Sequence, residues 1–198
     1  MTAIYTVPCD SYHVRTTVTS EASVVRRWVH SIRFRHRFRR RDGCLVVGLG
    51  VQWVSRYAAT LQLCVGTNCL IFQLYHADHC PAVLRRFLVD PDVFLVGLWN
   101  HSDAAMLMGS WHGLEVRRLV DVRKVAHDFR GCRLGASMEE LAEEILGIYG
   151  MRKDKAVGRS DWEDEDLTSH QVVYACHDVF LSFLMAMELS VWEWEGDD

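Results

Sequence analysis

The stretch LTSHQVVYACHDVF, residues 167–180, decides how this chain is expected to fold. Thr168 precedes a run of residues with helical spacing, which predicts a long helix that begins at about Ser169. Tyr174 and Asp178 lie four residues apart in this run, so the phenol and the carboxylate share one face of the helix. That pairing indicates a polar site. The alternative is a core tyrosine beside an acid that forms a salt bridge.

Three other stretches belong with this helix. The triplet SDW, residues 160–162, stands just before it. FLVGLWNHSDAAML, residues 94–107, predicts a strand that ends in Val-Gly and is followed by Asp103 at the start of a helix. An aspartate at that position also fits a simple helix cap. The apolar run VVGLGVQW, residues 46–53, predicts a buried strand, and Gly50 and Gln52 interrupt it.

Together these motifs resemble the DEDD 3′–5′ exonucleases of the ribonuclease H-like (DnaQ-like) superfamily, most closely the DEDDy proteins of the Werner-type and ribonuclease D-type branch. The resemblance covers roughly residues 44–190. It implies an α/β fold with a mixed central β-sheet flanked by helices, and removal of nucleotides from the 3′ end of single-stranded nucleic acid, with RNA more expected than DNA. In the first motif this chain departs from the family, because Gly50 stands in place of an Asp and Gln52 in place of a Glu.

The resemblance also implies a divalent-metal site for Mg²⁺ or Mn²⁺. Asp103 and Asp178 would be its ligands, Tyr174 would position the attacking water, and Gln52 would be an auxiliary neutral ligand. Mg²⁺ prefers oxygen ligands, so the loss of two acids weakens the site. Three groups could complete it: Asp121, His101 or a carboxylate of another subunit. The alternative function is a catalytically weakened or inactive nucleic-acid-binding or assembly subunit.

Charge is distributed unevenly along the 198 residues. Residues 1–41 contain nine Arg and two acids, whereas the remainder contains thirteen Lys or Arg and 24 acids. Six Arg fall between Arg33 and Arg41, interleaved with Phe34 and Phe38. Guanidinium groups pair with phosphate and stack on bases, so this run predicts a nucleic-acid contact. The alternative is a solvated loop. The expected nucleic-acid-binding residues are Arg35, Arg37, Arg39, Arg40 and Trp53.

The length and the 49% hydrophobic content predict one globular domain. Within it, residues 1–43 are expected to hold an edge strand, a helix and the Arg-rich segment. Residues 44–190 form the exonuclease-like part, and 191–198 an acidic tail with tryptophans that closes over the core or docks onto a partner subunit. No apolar run approaches the ~20 residues of a membrane span, and no secretory signal pattern opens the chain.

Seven cysteines without regular spacing predict a reducing compartment, the cytoplasm or the nucleus. One group of residues suggests zinc as a weaker alternative: Cys64, Cys69, His76, His79 and Cys80. Small plant-type members of the family, the RISC-interacting clearing exoribonucleases, look most similar. That likeness implies a homo-oligomer with RNA-silencing proteins as partners.

The remaining elements are predicted from local patterns. HVRTTVTS predicts an edge strand, and Ser20 is expected to cap a helix after it. Strands are expected in CLVVGLGVQW, ATLQLCVG, CLIFQLYH and VFLVGLW, with GTN, residues 66–68, as a tight turn between the second and the third, and a shorter strand near RLVDV. Helices are expected to begin at Pro81, at about Ser102 and at Ser137, and the stretch GMRKDKAVGRSDWEDED is expected to be a polar loop.

Overall fold

A computed structural model describes residues 1–54 and 57–196, which form one seven-stranded sheet with helices on both faces. The strands are β1 Thr2–Cys9, β2 Tyr12–Thr19, β3 Leu45–Val54, β4 Tyr57–Val65, β5 Asn68–Gln73, β6 Val93–Gly97 and β7 Leu119–Asp121. The helices are α1 Ala22–Arg35, α2 Arg37–Arg41, α3 Ala82–Leu88, α4 Asp103–Met108, α5 Val122–Arg130, α6 Met138–Leu141, α7 Lys155–Gly158 and α8 Ser169–Glu188. A π-helical segment, Ala142–Leu146, continues α6.

Strand order explains where a site can form. The order is β1-β2-β5-β4-β3-β6-β7, with β3 between antiparallel β4 and parallel β6. The strands β3, β5, β6 and β7 run in one direction, so their C-terminal ends lie at one edge of the sheet, which we call the carboxyl edge. The mixed sheet flanked by helices is the architecture that the sequence predicts.

The two faces of the sheet bury two separate apolar layers. Alternate residues of β3 supply both, since successive side chains of a strand point to opposite faces. Val47 and Leu49 join the layer under α1 and α3, whereas Val46 joins the layer under α8. On the α8 face the backbones approach very closely, and a Cβ at Gly48 would lie 2.0 Å from the carbonyl oxygen of Val179. The helix with the Tyr-x-x-x-Asp pair therefore sits directly on the central strand.

Several local predictions are confirmed. Gly66 and Thr67 connect β4 to β5, and Pro81 precedes α3. The sequence signals for helix starts also hold. Ser137 and Glu140 form a capping box at α6, as Thr168 and Gln171 do at α8.

The N-terminal predictions need correction. HVRTTVTS is not an edge strand, because β2 pairs with β5 on one side and with β1 on the other, and β1 is the edge. The sequence analysis missed β1, although burial alternates along it: one face is exposed, and the other is half-buried to buried. Ser20 does not cap α1; Glu21 holds that position, with no side-chain bond. The Arg run is helical, in the end of α1 and in α2.

Two further helices are absent from the sequence prediction. The helix α5 follows β7 directly, with Asp121 accepting a hydrogen bond from the backbone of Arg123 and Gly131 ending it at φ 71°. Both are ordinary helix signals. The strand before them has only three residues, so the boundary between strand and helix is hard to recognise in the sequence. The stretch expected to be a polar loop contains α7, whose N-cap is Asp154. Among the described residues, no helix is long and apolar enough to cross a membrane.

Candidate active site

The carboxyl edge gathers the residues that the sequence singles out. Gln52 lies near the end of β3, and Asp103 begins α4 a few residues after β6. The helix α8 crosses above β3 and brings Tyr174 and Asp178 to the same place. The amide nitrogen Nε2 of Gln52 donates a long hydrogen bond of 3.5 Å to Oδ2 of Asp178. These four side chains therefore form one cluster, as predicted from residues that are up to 126 positions apart in the chain.

A lysine that the sequence analysis did not single out completes the cluster. Nζ of Lys153 donates a hydrogen bond of 2.5 Å to Oδ1 of Asp178 and lies 4.6 Å from the ring centroid of Tyr174. Burial alone would lower the pKa of Lys153, but the Asp178 carboxylate and the Tyr174 phenol outweigh burial and raise it. The ammonium group is therefore charged at neutral pH.

Local contacts fix the segment that carries this lysine. The backbone nitrogen of Lys153 donates to Oε1 of Glu139 on α6 at 2.9 Å. The SDW triplet ties the same segment to α8, since Nε2 of Gln171 bonds the Asp161 carbonyl at 2.6 Å and the indole of Trp162 is fully buried. Beneath the Tyr174 hydroxyl there is no space for a side chain at Gly158, where a Cβ would approach it to 2.5 Å.

Asp103 is in an unfavourable electrostatic position. Burial, the carboxylate of Asp178 and that of Asp121 together raise the pKa of Asp103 to about 7, and Lys153 offsets only part of this. Like charges that are close together disfavour ionisation. Burial and these neighbouring carboxylates therefore disfavour the ionised form of Asp103.

This pKa shift predicts a pH-dependent stability effect. The folded chain keeps the Asp103 proton up to about pH 7, whereas the unfolded chain releases it near 4. Between these values the folded state binds more protons, so the contribution of Asp103 to the free energy of unfolding falls as pH rises. We expect Asp103→Asn to be more stable than the parent at pH 8 by about 1–3 kcal/mol, and equally stable near pH 4. Urea unfolding in metal-free buffer measures this, and a difference that does not change with pH would contradict it.

The first-motif position of β3 has no carboxylate and little space for one. A Cβ at Gly50 would lie 3.0 Å from Oε1 of Gln62 and 3.0 Å from Cγ1 of Val179. Gln62 faces Gly50 across the β3–β4 pair and is fully buried. Its Oε1 has no hydrogen-bond partner within the described part of the chain. A neutral amide oxygen thus stands beside the position where the family has an acid, and sequence reasoning missed it because Gln62 lies on a different strand.

The cluster offers a small donor set to a divalent ion. Asp103 and Asp178 are the carboxylates, and the amides of Gln52 and Gln62 can add only neutral oxygens. Burial and the neighbouring carboxylates raise the pKa of Asp103, and the Lys153 ammonium offsets part of this negative charge. Within residues 1–54 and 57–196, no group of three or more His, Cys, Asp or Glu could hold a metal. A pair of ions with a total charge of +4 is therefore not supported by this chain alone.

Asp121 and His101, suggested by the sequence as additional ligands, have different surroundings. The carboxylate of Asp121 is close enough to raise the pKa of Asp103. It accepts hydrogen bonds of 3.1 Å at both oxygens from Nε of Arg123, and it also caps α5. The Arg123 guanidinium in turn stacks 3.3 Å from the ring centroid of Trp99. The side chain of His101 is exposed on the short helical turn before α4, and a ligand role for either residue stays a prediction.

The predicted nucleic-acid-binding residues separate into two groups. Trp53 follows Gln52 at the carboxyl edge and is 44% exposed. The Arg run precedes Leu45, the first residue of β3, so it lies at the opposite end of that strand, about 25 Å from Trp53 given the ~3.3 Å rise of a strand residue. There Arg40 forms a 2.8 Å ion pair with Asp90, and Arg37 stacks over the rings of Phe34 and Phe38. The exposed arginines are Arg35, Arg37 and Arg39, and contact with nucleic acid stays a prediction for all of them.

The five residues of the zinc alternative do not form one site. Cys64 and Cys69 face each other across β4 and β5 inside the core. His76 bonds the carbonyl of Glu163 at 2.7 Å instead. These cysteines behave as small buried apolar residues.

The C-terminal tryptophans close over the chain's own core. Trp192 and Trp194 pack against the apolar layer under α8, and Nε1 of Trp194 donates to Asp128 at 2.8 Å. Of the two alternatives for the tail, the described residues support the first. Asp197 and Asp198 lie outside the described residues.

A cavity of about 310 Å³ opens beside the cluster. It lies between α8 and the segment before α7. Its lining includes Met151, Lys153, His170, Tyr174, Asp178 and Leu181. That volume lies at the lower end of the range for small-molecule sites.

A mixed sheet with these acids at its carboxyl edge and a Tyr-x-x-x-Asp helix across it defines a nuclease of the ribonuclease H-like class. The sequence family described as 3′-5′ exonuclease matches residues 52–190, which is more than half of the chain. The chain therefore belongs to the 3′-5′ exonuclease family, a group of hydrolases that act on phosphodiester bonds.

Two curated relatives illustrate the similarity. The bifunctional 3′-5′ exonuclease/ATP-dependent helicase WRN of mouse is 25% identical over 152 residues, which are 73% of this chain and 11% of that protein. Human exonuclease 3′-5′ domain-containing protein 2 is 33% identical over 111 residues, 55% of this chain and 18% of that protein. The chain thus spans only a small part of these relatives.

Solved structures agree with the fold. The EXD2 exonuclease domain soaked in Mn and GMP is 25% identical with a TM-score of 0.51, covering 89% of this chain and 90% of that one. Escherichia coli RNase D, at 19% identity, has a TM-score of 0.71 and covers 88% of this chain and 44% of that one. The same EXD2 domain was also soaked in Mg, which is consistent with the use of divalent metals in this family. The likeness to RISC-interacting clearing exoribonucleases stays a prediction.

Proposed function

We propose that this domain removes nucleotides from the 3′ end of single-stranded nucleic acid, with RNA as the first substrate to test and Mg²⁺ or Mn²⁺ as the cofactor. The observation that carries the proposal is the cluster of Asp103, Tyr174 and Asp178 at the carboxyl edge, in a chain of the 3′-5′ exonuclease family. RNA is placed before DNA because the sequence motifs resemble the ribonuclease D-type branch.

Three side chains of the cluster would each have a role in hydrolysis. Tyr174 can hold the attacking water through its hydroxyl group, because its ring is fixed against Trp162 at a centroid distance of 6.1 Å and above Gly158. Asp103 and Asp178 would hold one divalent ion. When bound, such an ion neutralises charge on the phosphate and activates water. The chain lacks two of the family's four acids, so we expect turnover that is slow for this family.

Nearby surfaces suit a single strand. The 310 Å³ cavity can take part of the terminal nucleotide. Farther along the carboxyl edge, Tyr57, Tyr75 and Trp111 form an exposed aromatic cluster, with Trp111 6.0 Å and 6.4 Å from the two tyrosine rings. Exposed aromatic rings at the end of a sheet offer stacking surfaces to successive bases. The strand would therefore leave the cluster along these rings.

Trp111→Ala is expected to weaken binding of a single-stranded RNA by about 10-fold. The side chain is 75% exposed, so the substitution removes a stacking surface at little cost to the fold. Loss of one base–aromatic stack typically costs ~1–3 kcal/mol. Fluorescence anisotropy with a labelled oligonucleotide measures the effect. Phe129→Ala, at a 44% exposed aromatic on α5, serves as the control and should change the affinity by less than about 2-fold.

A second candidate function is a nucleic-acid-binding or assembly subunit without turnover. The specific observation in its favour is that Asp178, one of two remaining acids, is already paired with Lys153. An exonuclease assay separates the two candidates. Purified protein with a 5′-labelled single-stranded RNA and Mn²⁺ should give a ladder of shortened products that is absent with EDTA. Salt-dependent binding without any ladder, in either Mg²⁺ or Mn²⁺, would establish the second function.

The proposal extends to the oligomeric state, the cellular compartment and the partners of the chain. The cluster has two of the four acids that the resemblance implies, so we propose a homo-oligomer in which a carboxylate of a second copy supplements the site, and light scattering can test the oligomeric state. Seven free cysteines fit the reducing cytoplasm or nucleus. RNA-silencing proteins are the partners that we propose on the resemblance alone.

A further inference from the structure

The ammonium group of Lys153 contacts the carboxylate of Asp178, the group that a metal cation would use as a ligand. Its ammonium nitrogen contacts Oδ1 of Asp178 at 2.5 Å, while Nε2 of Gln52 contacts Oδ2 of the same carboxylate at 3.5 Å. Both oxygens of Asp178 thus face hydrogen-bond donors. A divalent ion that used Asp178 as a ligand would lie close to the Lys153 ammonium, and the two positive charges would repel each other.

The position of Lys153 is built into the fold. Its backbone nitrogen is tied to Glu139 at 2.9 Å, and the next residue, Asp154, caps α7. These bonds hold the backbone, whereas the flexible four-carbon side chain can still swing into the adjoining cavity, which it helps to line. The lysine can therefore leave Asp178 without unfolding its own segment.

We propose that Lys153 is a resident cation of this site, and that a divalent ion binds to Asp103 and Asp178 only by displacing its ammonium group from Asp178. The inference rests on the proposed metal site. An ammonium group and a divalent ion attract the same carboxylate and repel each other at this distance. Lys153 accordingly sets the affinity of the site for metal, and keeps the metal-free cluster from holding uncompensated like charges.

Comparison of two lysine variants tests this proposal. Lys153→Met removes the ammonium and keeps an unbranched apolar side chain. Lys155→Met, two residues away on exposed α7, changes the net charge of the chain by the same amount. Titration of Mn²⁺ followed by electron paramagnetic resonance, without nucleic acid, should show affinity that is at least ~10-fold higher for Lys153→Met than for Lys155→Met. Lys155→Met should stay within about 3-fold of the parent at 0.15 M salt.

A charge-retaining variant distinguishes competition from packing. Lys153→Arg should keep the low Mn²⁺ affinity of the parent, because the guanidinium group remains charged. If Lys153→Met does not fold, Lys153→Gln replaces it in the same titration. Equal affinity in Lys153→Met and the parent would overturn the inference while the proposed metal site survives. If Mn²⁺ binds to none of the variants, the inference is overturned and the metal site of the proposed function fails with it.

Discussion

Asp178→Asn should reduce the rate of 3′-end shortening by at least ~100-fold. The asparagine keeps the shape of the side chain and removes one of two carboxylates available to a divalent ion, so the remaining oxygens bind it weakly. Asp178 is also the group that meets both Lys153 and Gln52, so its charge organises the cluster. The rate of loss of a 5′-labelled RNA in saturating Mn²⁺ measures the effect.

The control for this prediction is Asp166→Asn. Asp166 is an exposed acid shortly before α8, and its replacement changes the net charge equally. We expect its rate to stay within about 2-fold of the parent, since exposed charges are strongly screened. Circular dichroism should show that both variants fold. A rate in Asp178→Asn above a third of the parent's would mean that the chemistry occurs elsewhere.

Gly48→Ala should destabilise the chain by at least ~3 kcal/mol. The new methyl carbon would lie 2.0 Å from the carbonyl oxygen of Val179, and 3.3 Å from Cβ of Phe183. The carbonyl oxygen of Val179 belongs to the backbone of the long helix α8. It can therefore move away from the new methyl group only if α8 moves away from the sheet. Urea unfolding measures the loss, and the melting temperature should fall by about 10 °C for a chain of this size.

Gly135→Ala is the matched control. No atom lies within 4 Å of a Cβ at Gly135, so the same substitution meets open space there. Its free energy of unfolding should stay within about 1 kcal/mol of the parent's. Equal stability of the two variants would show that α8 and β3 are farther apart than the structure places them.

Much of the fold could be predicted from the sequence because its signals are local. The capping box at Thr168, the turn at Gly66 and the i, i+4 spacing of Tyr174 and Asp178 each involve residues within a few positions. The backbone geometry of such features is determined by residues that are adjacent in the sequence, so the sequence alone predicts them. By contrast, β1 was missed, because an exposed Ile4 and Pro8 near its end obscure its alternation in the sequence, and its pairing with β2 shows only in the folded chain.

Only those residues of the site that lie in the recognised motifs could be predicted from the sequence. Lys153 stands in a polar stretch, residues 150–166, that holds six acids and three other basic residues, and nothing in its local pattern distinguishes it from Lys155. Only the folded chain shows that one lysine contacts Asp178 and that the other is exposed. Gln62 was missed for a similar reason, since its meeting with Gly50 depends on the register of β3 and β4.

The crowding at Gly50 limits what protein engineering can achieve at this position. An aspartate there would bring its Cβ to 3.0 Å from both Oε1 of Gln62 and Cγ1 of Val179. Contacts this short force the neighbouring atoms to shift, so an engineered acid at position 50 needs a smaller side chain in place of Gln62 or Val179 as well. Substitution of Gly50 alone therefore does not produce a well-packed third carboxylate.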